Sequence, residues 1–154
     1  MLRLFTAQGV DRARIEVEPW RGLFNEHFAV YHGVDIALDP FPYNGTTTTC
    51  EALWLGVPVI ALAGDRHSGR VGLDLLNRVG LAHLAAEDAD AYVRAAVNLA
   101  KDIPALAALR RDLRERMRRS PLCDAPHFAR EFEAALRQMW RRWCESAVSD
   151  RNAP

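Results

Sequence analysis

Four consecutive threonines, Thr46 to Thr49, follow Asn44-Gly45 and run into Cys50, Glu51 and an apolar stretch. Hydroxyls at the head of a helix support two kinds of chemistry. One is capping: Thr48-x-x-Glu51 has the spacing of a capping box, hydroxyl on the N3 amide and carboxylate returning to the N-cap amide. The other is anion binding, in which helix N-terminal amides and Thr hydroxyls hold a diphosphate. Hydroxyls suit that task because they donate without adding a charge. Capping accounts for Thr48 and Glu51 but leaves Thr46 and Thr47 over, and the spacing alone leaves both readings open. The run matches neither G-x-x-x-x-G-K-[ST] nor G-x-G-x-x-G, so those phosphate loops are excluded.

The elements that must position these threonines are legible on either side. Asp35 to Leu38 is a short apolar run, and Pro40, Pro42, Asn44 and Gly45 supply turn chemistry. A helix then runs to near Gly56, and Val57 to Leu62 is a second β-branched strand closed by Gly64. Strand, helix and strand make a βαβ unit, which implies a parallel sheet and a right-handed crossover. Ligands of such sheets sit beyond the carboxyl ends of the strands, where the Thr run lies. Before this unit, Leu2 to Gln8 reads as a helix stopped by Gly9, and Arg14 to Glu18 as a strand. Glu26 to His32 reads as a short helix with His27 and Tyr31 on one face. After it come a polar loop from Asp65 to Gly69 and a helix from Arg70 to Val79 stopped by Gly80. A short strand is expected at Leu81 to Leu84. Helices follow at Ala91 to Leu99 (capped by Asp88 or Asp90), from Pro104 to about Arg118, and from Pro126 to Trp143; a polar tail occupies 146–154.

Composition narrows the class. The 154 residues suit one domain, and 49% apolar content fits a globular protein. Twenty basic and twenty acidic residues cancel, so no overall field argues for nucleic acid or an anionic membrane as partner. Cys50, Cys123 and Cys144 form neither a disulfide framework nor a C-x-x-C site, which points to a reducing cytoplasm. No signal peptide and no run of transmembrane length is found. His32, His67 and His83 lack metal-ligand spacing, so neither a metal nor a cofactor is expected. His67 lies in the loop after the second strand and is a weaker binding candidate. The arginines between Arg110 and Arg119 alternate with Asp112 and Glu115 and read as a solvated helix face. Trp54 is expected to pack on the sheet, and Met139, Trp140 and Trp143 to be core or a docking surface.

The segment DIALDPFPYNGTTTTCEALWLGVPVIALAGDRHSGRVG, with SPLCDAPHFAREFEAALRQMW after it, resembles the catalytic region of O-GlcNAc transferase and SPINDLY-like glycosyltransferases. It is most similar to their bacterial forms, which carry tetratricopeptide repeats upstream, and the resemblance covers about Phe5 to Trp143. It implies an α/β fold: a Rossmann-like parallel sheet forming part of the C-terminal nucleotide-binding lobe of a GT-B glycosyltransferase, with C-terminal helices, over residues 1–145. By the same resemblance Thr47 and Thr48 contact the nucleotide diphosphate, Glu51 the ribose hydroxyls, and His27 packs on the uracil. Gly45 and Thr46 continue the loop, and Arg70 matches the arginine that closes it. Glu51 is Asp in the animal enzymes and Thr46 stands where they have His; Val30 replaces a common Arg and Phe24 a Lys near the ribose.

The activity so implied is inverting, metal-independent transfer of a sugar from a UDP-sugar donor to a protein Ser or Thr hydroxyl, with N-acetylglucosamine the expected sugar. The protein acceptor, and a first lobe or repeat domain, are the partners it implies. The family places two central strands, a leaving-group lysine and the acceptor lobe upstream of anything present here. The chain is therefore expected to be a catalytically incomplete fragment, with no catalytic residue assigned. A non-catalytic nucleotide-binding or interaction remnant is the alternative.

Overall fold

The computed structural model describes residues 2–18 and 24–151, and the backbone divides into two compact units, Met1–Gly33 and Val34–Pro154. In the first unit, α1 (Leu2–Ala7) gives way to Gly9 at a φ of 80°, the left-handed stop that the sequence predicts. The strand expected at Arg14–Glu18 does not form. Arg12–Arg14 is a 3-10 turn, held by the Asp11 carboxylate, which accepts from the Ala13 N–H at 2.9 Å. Residues 15–18 have no regular structure. An alternating pattern becomes a strand only when a neighbour takes its ladder hydrogen bonds, and no described strand pairs with this segment. α2 (Phe24–Val30) and a 3-10 turn at Tyr31–Gly33 end the unit.

The second unit carries the parallel sheet. Strands β1 (Ala37–Leu38), β2 (Val59–Leu62) and β3 (Ala85–Ala86) lie in the order β1-β2-β3, with Ala37 opposite Val59 and Ala61 opposite Ala85. α3 (Thr47–Trp54) crosses from β1 to β2, and α4 (Val71–Arg78) from β2 to β3. Adjacent parallel strands joined in sequence by helices form one half of a doubly wound sheet. Val59, Ile60 and Ala61 are at most 2% exposed, so both faces of β2 are covered, as its unbroken apolar run requires. The last strand falls later than expected. Ala82–Leu84 forms a 3-10 turn, closed by the Leu84 N–H on the Leu81 carbonyl at 2.9 Å, and pairing starts at Ala85. Leu53, Leu76, Leu81 and Leu113 fill the core, each stabilising the fold by about 1.5–3 kcal/mol.

Two helices then pack back. α5 (Ala89–Lys101) is capped by Asp88, whose carboxylate accepts from the Ala91 N–H at 2.7 Å. α6 (Ile103–Arg119) is capped by Asp102 and carries Pro104 in its first turn. Arg110 on α6 donates to the Val34 carbonyl at 2.6 Å and to Asp35 at 2.8 Å, tying the helix to the chain entering β1. Arg116 pairs with Asp112, and Arg118 and Arg119 with Glu115, so this part of the basic run is the solvated face its pattern suggests. Trp54 does not pack on the sheet: it is 37% exposed, with the Arg114 guanidinium 5.0 Å over its ring. α7 (Ala125–Arg151) continues through the positions assigned to a polar tail from Ser146, while Asn152 to Pro154 lie outside the described residues. Its Phe128, Phe132, Leu136, Met139, Trp140 and Trp143 are all exposed and so do not belong to the core. No described helix is long and apolar enough to cross a membrane.

Packing is tight where α4 starts. A Cβ on Gly72 would sit 2.7 Å from Asp39 Oδ2 and 2.8 Å from the Ala61 Cβ. Gly72→Ala is therefore expected to destabilise the protein by about 1–3 kcal/mol, read as a lower urea midpoint. An unchanged midpoint would show that α4 can move away from the sheet without cost.

Candidate functional site

The site forms where the loops leave the carboxyl ends of β1 and β2. Asp39 extends the β1 pairing, its N–H on the Ile60 carbonyl at 2.9 Å. Asn44, 1% exposed, then joins three segments. Its own N–H donates to the Ser68 carbonyl at 2.9 Å. Its side-chain amide donates to the Pro40 carbonyl at 3.2 Å, and its Oδ1 accepts from the Gly72 N–H at 3.2 Å. The loop after β1, the loop after β2 and the head of α4 are thereby held together. At the next residue the Gly45 N–H donates to Asp39 Oδ1 at 2.7 Å, and the Gly45 carbonyl accepts from the Thr49 hydroxyl at 3.1 Å. A Cβ there would lie 2.6 Å from Thr48 Oγ1 and 2.8 Å from Thr49 Oγ1, so only glycine fits.

These bonds set the register of the threonines. The capping box expected at Thr48 and Glu51 is not adopted. α3 starts two residues sooner, Thr46 occupies the N-cap position without a side-chain cap bond, and the Thr46 carbonyl accepts the first helical bond from the Cys50 N–H at 3.0 Å. The cause is Gly45: with its N–H and carbonyl both taken, the chain must turn into the helix immediately after it. Thr46, Thr47 and Thr48 are consequently exposed around the head of α3, while Thr49 is buried beneath them. Glu51, half-buried, lies four residues after Thr47 and three after Thr48, on the same side of the helix.

Thr46 shares a cavity of about 600 Å³ with His67, Arg70, Val71 and Asn77, a volume in the range of small-molecule sites. The Arg70 guanidinium donates to the Gly64 carbonyl at 3.0 Å, which ties it to the end of β2 while its other N–H groups remain as further donors. The structure thus brings Thr46 and Arg70 together in one cavity, with His67 beside them, and sets Thr47, Thr48 and Glu51 on the adjoining helix. His27 belongs to the first unit, on α2, where its ring meets Tyr31 edge-on with centroids 5.7 Å apart. Among the described residues no cluster of His, Cys, Asp or Glu is arranged to hold a metal.

Sequence reasoning passes over Asp39, Asn44 and Thr49. Asp39 does leave a signal, an acidic residue directly after an apolar strand and ahead of Asn-Gly, where a carboxylate can accept turn amides. The Asp39 side chain is 5% exposed, and its Oδ2 has no protein hydrogen-bond partner. Burial pushes its carboxyl above the ordinary value of 3.8, against the pull of the Gly45 N–H. The folded state therefore holds a proton that the unfolded chain releases at about that value. The stability contributed is full below pH 3.8 and is lost as pH rises through the native pKa. Asp39→Asn, which cannot ionise, is expected to gain on wild type in melting temperature as pH climbs through that window. A difference that stays constant with pH would mean that Asp39 titrates normally.

The sequence of glycosyl transferase family 41 matches residues 2–132. A SPINDLY protein of Eustoma exaltatum subsp. russellianum, described as a probable UDP-N-acetylglucosamine–peptide N-acetylglucosaminyltransferase, is 48% identical over 140 residues. Those residues are 91% of this chain and 15% of that protein. The Caenorhabditis elegans UDP-N-acetylglucosamine–peptide N-acetylglucosaminyltransferase is 31% identical over 118 residues, 77% of this chain and 10% of that protein. Among solved structures, a mutant O-GlcNAc transferase of Thermobaculum terrenum superposes with a TM-score of 0.86 at 38% identity. The match covers 95% of this chain and 28% of that one. The chain thus spans about 15% of the length of the SPINDLY relative, and the sheet, the Thr-headed helix and the matched residues agree: it belongs to glycosyl transferase family 41.

Proposed function

We propose that this chain is the donor-binding part of a glycosyltransferase that moves N-acetylglucosamine from its UDP conjugate to a Ser or Thr hydroxyl of a protein. The transfer proceeds with inversion and without a metal. One observation carries the reading: three exposed threonines ring the head of α3, at the carboxyl end of a parallel sheet, beside a cavity that Thr46 shares with Arg70. A helix start offers amides without helical acceptors and the positive end of its dipole, which together suit a diphosphate. Thr47 and Thr48 contact the diphosphate, Gly45 and Thr46 carry the loop past it, and Arg70 closes over it. Glu51, one turn further along α3, accepts the ribose hydroxyls, and His27 stacks on the uracil. The names of the relatives support the donor and acceptor classes.

Two measurements test this. By titration calorimetry UDP is expected to bind more tightly than uridine, and Thr47→Ala and Thr48→Ala each to weaken UDP by about tenfold, the value of one lost hydrogen bond to a charged group. Thr47→Ala should cost no more than a few tenths of a kcal/mol in stability, since Thr47 is exposed and is not the N-cap. Equal affinity of wild type for UDP and uridine would remove the loop from the site. In the second, Glu51→Gln should narrow the gap between UDP and 2′-deoxy-UDP. A mutant that separates the two ligands as well as wild type does would end the ribose assignment.

A further inference from the structure

We infer that Asp39 and Thr49 are positioning residues for diphosphate binding, acting from behind the loop by fixing the Gly45 peptide between them. The inference rests on the donor-binding reading above and adds to it two residues that touch no ligand. Asp39 takes the Gly45 N–H at 2.7 Å and Thr49 donates to the Gly45 carbonyl at 3.1 Å. The residue that enters the threonine run is thus held at both of its backbone groups. Both side chains are buried, at 5% and 3% exposure, and neither lines the cavity shared by Thr46 and Arg70.

Direct ligation by Asp39 is disfavoured on two counts. A carboxylate repels a diphosphate, and the Asp39 Oδ2 is directed toward Gly72 of α4, where an added Cβ would come within 2.7 Å of it. For Thr49 the ordinary alternative is a back-bond to the carbonyl four residues earlier, common inside helices. Here, though, that carbonyl belongs to Gly45, one residue before the N-cap, so the bond fastens loop to helix instead of helix to itself. Asp39 is in turn anchored to the scaffold. Its N–H is bonded to β2 through Ile60, and its carbonyl accepts from the Tyr92 hydroxyl of α5 at 3.1 Å. A continuous series of bonds therefore runs from the sheet through Asp39 and Gly45 to the first turn of α3. Ligand groups held within a few tenths of an ångström bind through such supporting contacts as much as through their own.

The test compares isosteric and acceptor-keeping variants at both positions. Asp39→Ala and Thr49→Val remove the bonds to Gly45, whereas Asp39→Asn and Thr49→Ser keep an oxygen in place. UDP and uridine are titrated calorimetrically against each variant of the purified protein, with thermal melts establishing that each is folded at the titration temperature. Alanine at 39 and valine at 49 are expected to weaken UDP about tenfold while uridine stays within about twofold. The asparagine and serine variants should recover most of the loss. Folded alanine and valine variants with unchanged UDP affinity would overturn the inference, as would a proportional loss for both ligands, which marks a general structural role. Should Asp39→Ala fail to fold, Thr49→Val decides, because it preserves side-chain volume. A wild-type protein that does not distinguish UDP from uridine would instead overturn the donor-binding reading itself.

Discussion

At Gly45 the chain passes so close to the first turn of α3 that a Cβ would lie within 3 Å of two threonine hydroxyls. That crowding exists because the residue is held on both sides, by a buried carboxylate on its amide and a buried hydroxyl on its carbonyl. Everything that faces the cavity follows from this point. It decides that α3 begins at Thr47, that three hydroxyls are exposed, and that the fourth is spent inside. Asn44 extends the same constraint sideways, since its contacts to Ser68 and Gly72 bring the second loop and the head of α4 into line. Two loops that are separate in sequence thereby behave as one rim.

The rim is only as firm as the sheet beneath it, and the sheet is small. Among the described residues β2 is the one strand paired on both sides, and its covered faces supply most of the rigidity. β1 is two residues long, with Leu38 57% exposed at an edge. Edge strands are held by whatever pins their ends. Here the pins are the Arg110 bonds to Val34 and Asp35 at the entrance to β1 and the Asp39 bonds at its exit. The residue that positions the loop also terminates the weakest strand, so loss of the Asp39 bonds would be felt at both places.

Much of this arrangement was legible in the sequence because it is local. Turn residues, an apolar run of six, and threonines ahead of an apolar stretch identify strand, loop and helix by short-range chemistry. The glycine stops at Gly9 and Gly80 were legible for the same reason, as were Pro104 and the cap of α5, left between Asp88 and Asp90 and taken by Asp88. The errors share a cause of the opposite kind. Arg14–Glu18 has the alternation of a strand but finds no partner among the described residues. The capping box has the right spacing, yet a carboxylate six residues before Gly45 moves the helix start by two residues. Trp54 looks like core from its place among apolar neighbours, and only the position of Arg114 on α6 shows which side of α3 it faces. Each depends on a partner outside the element itself, present or missing, which periodicity cannot report.

A carboxylate buried behind the loop would work against the anion binding proposed for it if it stood alone. The electrostatics resolve once both helices are counted. Asp39 Oδ1 takes a backbone amide that faces inward and is not offered to the ligand, while Oδ2 lies against the second residue of α4, near the positive end of that helix. Oδ2 has no hydrogen-bond partner and burial raises the carboxyl above its ordinary value, so the group tends toward its neutral form, and on the proposed reading the helix start at α3 is left for an external anion. The two starts are kept in register by Asn44, which reaches from one loop to the head of α4. Arg70, at the N-cap position of α4 and in the cavity with Thr46, adds a positive charge there, held to the Gly64 carbonyl. On the proposed reading hydroxyls and amides then suffice for the loop itself, because the helix starts are already oriented without a ligand.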